Sequence, residues 1–157
     1  MYKIFLDTCA FFDCIENSEY ERTLNHISHL DDYQLKSSIS VYGEFMQKIL
    51  EKEAPRELND RFITLVQYWN VACIFPDNGV RNICYLMGQD TTDGRMLNQV
   101  TDLTHLAYAM SDNCNYFITT DRNLHRYKIP QGILSKSYFK PEMVSIKEIK
   151  NRLLNRK

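Results

Sequence analysis

Two aspartates follow directly after short apolar segments of this 157-residue chain. Asp7 comes after residues 2–6, and Asp121 comes after residues 116–120. Both segments are rich in β-forming residues and are predicted to be buried strands. Either acid alone is equally well interpreted as a turn residue or a helix N-cap. Because ligands of open parallel sheets bind at the carboxyl ends of the strands, two acids at equivalent strand ends favour a common site.

Two further acids are predicted to approach the same strand ends. Asp102 begins a helix predicted over residues 102–110 and lies at the margin of its apolar face. Glu44 follows a strand predicted over residues 35–41 and falls in the first turn of the next helix. The competing interpretations are an acid that complements the helix dipole for Asp102 and a structural role at a helix start for Glu44.

Four carboxylates that converge in one crevice would repel each other unless a cation lay among them. Oxygen ligands of this kind suit Mg²⁺ or Mn²⁺. Such an ion activates water and stabilises the charge that develops on a phosphate under attack. The candidate metal-binding and catalytic residues are therefore Asp7, Glu44, Asp102 and Asp121. The reaction that they favour is hydrolysis of a phosphodiester bond.

The elements that must position these acids alternate along the chain. Strands are predicted over residues 2–6, 35–41, 71–75 and 116–121, with one more near Ile133. Helical patterns separate them, and a polar loop is predicted over residues 89–94. This alternation indicates right-handed βαβ units and an α/β fold with a mostly parallel sheet between helices on both faces. Nothing in the composition separates two domains, so a single domain over residues 1–157 is expected.

Composition and charge exclude several classes of protein. Hydrophobic residues make up 44% and charged residues 25% of the chain, as in globular proteins. No apolar run approaches the roughly 20 residues that span a bilayer, and Asp7 interrupts the N-terminal apolar segment, so a cytoplasmic protein without membrane attachment is expected. Five cysteines without a C-x-x-C pair argue against a disulfide framework or a thiolate zinc site. A net charge of −1 gives no global sign of a nucleic-acid partner.

Four short motifs occur in order between Ile4 and about Leu124. They are Phe5-Leu6-Asp7-Thr8, Ser40-Val41-Tyr42-Gly43-Glu44, Asp102-Leu103-Thr104-His105-Leu106-Ala107-Tyr108-Ala109 and Ile118-Thr119-Thr120-Asp121-Arg122-Asn123-Leu124. In order and spacing they resemble the PIN-domain family, most closely the VapC-like ribonuclease toxins of type II toxin–antitoxin pairs. The resemblance implies a three-layer α/β/α fold, cleavage of RNA with Mg²⁺ or Mn²⁺, and a homodimer. A toxin of this kind would also need a cognate antitoxin that covers its cleft.

The same resemblance implies roles for individual residues. Asp7, Glu44, Asp102 and Asp121 match the family's metal-binding acids, and Thr8 or Thr120 would orient a ligand or a phosphate. Two positions depart from the pattern. Cys9 stands where many relatives carry Asn, and Asn123 stands where many carry a further acid. Neither removes a core ligand, and one well-defined metal ion is expected.

Other polar residues near the acids are less specific. His105 is interpreted either as a proton relay or as a helix histidine bonded to a neighbouring backbone group, and it is not counted as catalytic. A set of basic residues is a candidate for phosphate contacts, with a solvated charged rim as the alternative. This set comprises Arg122, His125, Arg126 and Lys128, together with Arg95 and Lys48 on other segments.

Three other functions stay open at this point. A housekeeping RNA-processing nuclease without an antitoxin would carry the same acids. A non-catalytic RNA-binding module of the same fold would be favoured if no metal bound at Asp7 and Asp102. A phosphatase that forms an aspartyl-phosphate at Asp7 ranks low, because Cys9 stands where its D-x-D signature requires a second acid.

Overall fold

Short strands and helices alternate along the part of the chain that the structure, a computed structural model, describes: residues 1–52, 55–89, 100–134 and 138–154. The strands are β1 (Tyr2–Leu6), β2 (Tyr33–Ser38), β3 (Ala72–Ile74), β4 (Tyr116–Ile118) and β5 (Glu142–Val144). The helices are α1 (Thr8–Glu16), α2 (Ser18–Ser28), α3 (Ile39–Glu51), α4 (Arg56–Tyr68), α5 (Asn78–Gln89), α6 (Val100–Ser111), α7 (Arg122–Arg126), α8 (Gln131–Leu134) and α9 (Ile146–Leu154). Within these ranges, no helix has both the length and the apolar character that a bilayer crossing requires.

The strands form one sheet in the order β3-β2-β1-β4-β5, and every neighbouring pair is parallel. The chain first adds β2 and β3 on one side of β1 and then returns to the other side for β4 and β5. The right-handed crossover that parallel strands almost always use would place α1–α4 on one face of the sheet and α5–α8 on the other. In agreement, α1 contacts α2, α3 and α4, whereas α5 contacts α6 and α8. The predicted three-layer α/β/α fold is confirmed, with a parallel sheet throughout the described strands.

An aromatic cluster joins the helices on one face of the sheet. Phe45 of α3 stacks on Phe62 of α4 and on Phe12 of α1, with ring centroids 4.1 Å and 4.4 Å apart. Phe11 of α1 meets the edge of Phe62 at 4.9 Å. Since α1 begins at Asp7 and α3 carries Glu44, this packing sets the distance between two of the predicted site residues.

Several element boundaries differ from the prediction: β3 and β4 are shorter than the strands predicted over residues 71–75 and 116–121, and α6 begins before Asp102. β2 ends at Ser38 and α3 begins at Ile39, because the Ser38 hydroxyl accepts a hydrogen bond from the N–H of Val41 and caps the helix. The strand expected near Ile133 is instead the short helix α8, and the fifth strand is β5. A short apolar run does not distinguish a buried strand from a buried helical turn. Of the predicted loop, residue 89 ends α5 and residues 90–94 lie outside the described residues.

The aromatic cluster predicts a large and local stability effect. Phe62 is 1% exposed, so Phe62→Ala should leave a cavity and lower the free energy of unfolding by about 3–5 kcal/mol. The next residue, Ile63, is 42% exposed, and Ile63→Ala should change it by no more than about 0.5 kcal/mol. Urea denaturation followed by far-UV circular dichroism measures both. An equal decrease in the free energy of unfolding of the two variants would contradict the packing of Phe62 in this cluster.

Candidate active site

The site lies at the edge of the sheet between β1 and β4, where the order in which strands are added reverses. Open parallel sheets bind ligands at such a switch point. Asp7 directly follows β1 and caps α1, and Asp121 lies just after β4 and caps α7. The N–H of Asp7 donates to the carbonyl oxygen of Ile118 at 3.2 Å, which holds the ends of the two strands together. Asp7 and Asp121 therefore each cap a helix and also border the same crevice.

A cavity of about 380 Å³ opens at this edge and brings the four predicted acids together. Its lining residues are Asp7, Thr8, Cys9, Glu44, Lys48, Thr101, Asp102, Thr120 and Asp121. Carboxylates dominate this lining, and the one basic side chain among these residues is that of Lys48.

Glu44 and Asp102 reach the cavity from helices on opposite faces of the sheet. Glu44 lies in the second turn of α3 and not in the first, because the helix begins at Ile39. Asp102 lies in the first turn of α6, which begins at Val100. The two helices contact each other, and both half-buried acids line the same cavity.

Asp7 is the most buried of the acids, with 4% of its surface exposed, and its carboxylate is surrounded by donors. Oδ1 accepts from the N–H of Thr8 and from Nδ1 of His105, each at 2.8 Å. Oδ2 accepts from the hydroxyl of Thr119 at 2.9 Å and from the thiol of Cys9 at 3.4 Å. Burial raises the pKa of Asp7, but the bonds from His105, Thr8 and Thr119 outweigh it and hold the pKa below its usual value. Asp7 is therefore an oriented anion at neutral pH.

Glu44 uses its two carboxylate oxygens differently. Oε1 forms an ion pair with Nζ of Lys48 at 2.7 Å. Oε2 accepts a hydrogen bond from the hydroxyl of Thr8 and lies 3.7 Å from Nε2 of His105. Burial acts to lower the pKa of Lys48, but the bond and the charge of Glu44 raise it above its usual value. The predicted ligand-orienting residue Thr8 thus orients Glu44.

Asp102 carries the clearest electrostatic cost. Burial raises its pKa, and the negative charges of Asp7, Asp121 and Glu44 raise it further, to about 6. The neighbouring acids therefore add to the cost that burial imposes on the ionised form of Asp102.

Two residues that bond to Asp7, His105 and Thr119, were not counted among the predicted site residues. His105 is fully buried, and its Nδ1 bonds to Asp7, so the interpretation as a helix histidine bonded to a neighbouring backbone group is wrong. Its position one turn after Asp102 was the available signal. Thr119 links Asp7 to the N–H of Asp121, which donates to the Thr119 hydroxyl at 3.1 Å. No pattern distinguishes it from Thr120, which is exposed and lines the cavity.

The predicted phosphate-contacting bases divide into two groups. Lys48 lines the cavity, as predicted. Arg122, Arg126 and Lys128 are exposed beyond the described lining, and Nε2 of His125 lies 3.2 Å from the carbonyl oxygen of Thr119. Arg95 lies outside the described residues.

No protein-family model and no curated protein matches the chain, whereas solved structures do. One is the crystal structure of VapBC2 from Rickettsia felis bound to a DNA fragment from their promoter. It has 13% sequence identity and a TM-score of 0.65, and the match covers 91% of this chain and 98% of that chain. Another is the structure of VapBC-1 from nontypeable Haemophilus influenzae, with 15% identity, a TM-score of 0.61 and coverage of 92% and 98%. The chain therefore shares its fold with these VapBC proteins, which confirms at the level of the fold its resemblance to VapC-like PIN domains.

Proposed function

We propose that this protein is a metal-dependent ribonuclease that hydrolyses RNA phosphodiester bonds, with Mg²⁺ or Mn²⁺ bound by Asp7, Glu44, Asp102 and Asp121. The observation that supports this proposal is the cavity at the switch point of the sheet, where these four acids converge around one lysine. Clustered carboxylates in a partly buried site are costly unless a cation offsets their charge.

The donor set fits a divalent cation. The ligand atoms of Asp7, Glu44 and His105 lie within 4.8 Å of one another. Asp102 adds a carboxyl group whose pKa is raised to about 6 by burial and by the charge of the neighbouring acids. A cation bound among these residues would relieve that repulsion and would let Asp102 ionise fully at neutral pH.

The chain's own residues supply orientation and charge. Thr8, His105 and Thr119 hold the Asp7 carboxylate in one orientation. Lys48 is the basic side chain among the described lining residues and would pair with a substrate phosphate if Glu44 bound a metal ion. When bound, a divalent ion supplies Lewis acidity and lowers the pKa of water, which is the chemistry that phosphodiester hydrolysis needs.

Cleavage of RNA is the direct test of this proposal. Purified protein should cut mixed tRNA and rRNA in the presence of Mg²⁺ or Mn²⁺. The cleavage should stop when EDTA is added. Asp7→Asn and Asp102→Asn keep the side-chain volume but remove a charge, and each should lower the rate by about 100-fold or more. Asp60→Asn, at an exposed position of α4, is the matched control and should leave the rate unchanged. Cleavage that survives EDTA or persists in folded Asp7→Asn would contradict the proposal and leave an RNA-binding module as the better interpretation.

The charge of Asp102 should destabilise the metal-free protein. Its folded-state pKa is about 6, above the roughly 3.9 of an unfolded Asp, so ionisation in the folded state costs stability at pH values above about 6. Asp102→Asn should therefore raise Tm in EDTA at pH 7.5. This gain should shrink as the pH falls from about 6 to about 4. Thermal unfolding across this pH range measures it, and an unchanged or lower Tm at pH 7.5 would show that the acids do not repel each other.

We also propose that this nuclease acts as one domain and as a homodimer in the cytoplasm, and that it is the toxin of a toxin–antitoxin pair. The structural neighbours are VapBC proteins, which supports a partner of the antitoxin kind. Induced expression should arrest bacterial growth, Asp7→Asn should not, and co-expression of a short protein encoded beside the gene should restore growth. Growth that continues despite active enzyme would favour a housekeeping RNA-processing nuclease.

A further inference from the structure

A segment with charges of one sign begins directly after Asp121. Residues 122–141 contain five Lys or Arg residues and no Asp or Glu, although the whole chain has a formal net charge of −1. Solvated protein surfaces usually mix charges of both signs, whereas cations gathered in one place are typical of a surface that binds a polyanion. The segment therefore indicates a negatively charged partner.

The structure describes four of these five cations, and all four are exposed. Arg122 is the first residue of α7 and directly follows Asp121, which lines the cavity. Arg126 lies one turn later on the same face of that helix. The ammonium group of Lys140 donates to the carbonyl oxygen of Tyr127 at 2.9 Å, which places it at the end of α7. We call these four residues the basic track: Arg122, Arg126, Lys128 and Lys140.

The cations of the basic track are not neutralised by acids of the protein. None of the four forms an ion pair with an acid in the part of the chain that the structure describes. The first acid after the track, Glu142, is instead paired with the guanidinium group of Arg152. Exposed cations of this kind can contact phosphate groups, and such contacts supply most of the affinity of nucleic-acid binding that is independent of sequence.

An exposed aromatic ring lies at the far end of the basic track. Phe139 directly precedes Lys140 and is 68% exposed, whereas its other neighbour, Tyr138, packs against the core. The first residue of β5, Glu142, pairs with the first residue of β4. Phe139 therefore lies toward the start of these strands, and the cavity lies at their ends. Proteins that bind single-stranded nucleic acids combine cations along the backbone with aromatic rings on which bases stack.

We propose that the basic track and Phe139 bind single-stranded RNA and lead the strand from the cavity along the side of the molecule. The inference rests on the proposed function, because the same strand would carry the phosphodiester bond that the acids hydrolyse. A double helix keeps its bases stacked inside and offers none to the ring of Phe139. An acidic protein would also neutralise the cations, but the continuity of the track with a cavity suited to phosphodiester chemistry favours RNA. The substrate is therefore a single strand or a loop of several nucleotides.

Binding can be measured separately from cleavage. EDTA removes the metal ion that the proposed reaction requires, so fluorescence anisotropy reports the affinity for an intact labelled strand of about 16 nucleotides. The same strand annealed to its complement serves as the duplex. The test variant replaces three cations of the track: Arg122→Gln, Arg126→Gln and Lys128→Gln. The control variant removes the same charge from exposed positions on or beside α2, α3 and α4: Arg22→Gln, Lys52→Gln and Arg56→Gln.

The test variant should bind the single strand at least about tenfold more weakly than the wild-type and control proteins at about 100 mM salt. Each phosphate contact contributes about 0.7 to the slope of log K against log salt concentration for single strands, so the loss of three contacts should make the slope shallower by about 2. Equal weakening in the test and control variants would overturn the inference, since the net charge and not the track would then determine the affinity.

Phe139→Ala tests the choice of a single strand. It should weaken binding of the single strand by about fivefold or more and leave binding of the duplex unchanged. Phe75→Ala removes a ring that is 65% exposed just after β3, at the other edge of the sheet, and should change neither affinity. An equal effect of Phe139→Ala on the single strand and the duplex would overturn the assignment of a single-stranded substrate.

The outcomes for this inference and for the proposed function are distinguishable. A protein that cuts RNA with Mg²⁺ or Mn²⁺, but whose test variant binds the strand as tightly as the wild type, would overturn this inference and leave the nuclease intact. A wild-type protein that binds RNA through the track but cuts none with either metal would overturn the nuclease and leave the binding surface. A wild-type protein without affinity for RNA would overturn the inference and favour an acidic protein as the partner of the track.

Discussion

The buried negative charge of Asp7 is the constraint on which the rest of the site depends. A carboxylate that is 4% exposed has lost most of its hydration and needs charge or hydrogen bonds in return. The donors come from three separate parts of the chain: the first turn of α1, the end of β4 and the middle of α6. One ionised group therefore holds the N-terminal half of the sheet to the C-terminal half. The same bonds orient the carboxylate toward the cavity.

The molecule separates the residues that stabilise it from the residues that line the cavity. Stacked and edge-on aromatic rings join α1, α3 and α4 and supply apolar burial. The strand ends carry acids whose mutual repulsion raises the pKa of Asp102. Natural proteins commonly tolerate a loss of stability at a functional site when packing elsewhere contributes more stability than the site removes. Here the aromatic packing also keeps the spacing between the start of α1 and Glu44.

The topology explains why residues so far apart in sequence meet. β1 lies at the centre of the sheet, and the chain returns past it to form β4, so the residues after these strands flank one crevice. α3 and α6 contact each other, and each contributes one acid to the lining of that crevice. Such a crevice forms wherever the order of parallel strands reverses, so the fold provides a place for a ligand, and the side chains decide its chemistry.

The parallel α/β architecture and the grouping of the four acids in one cavity could both be predicted from the sequence. Both depend on local patterns: apolar strands that alternate with helical periods, and acids placed at strand ends or helix starts. The predictions that were wrong also depended on local patterns. The capping of α3 by Ser38 moved a boundary, and the short apolar run at Ile133 formed a helix instead of a strand.

The hydrogen bonds that hold Asp7, and the buried side chains that donate them, follow only from the folded structure. His105 is separated from Asp7 by 98 positions and Thr119 by 112, and neither pairing leaves a periodic signal in the chain. Which nitrogen of the His105 ring bonds to Asp7 depends on where the fold places α6 relative to the end of β1. Hydrogen-bond geometry of this kind depends on sub-ångström placement in three dimensions, which residue types and spacing do not encode.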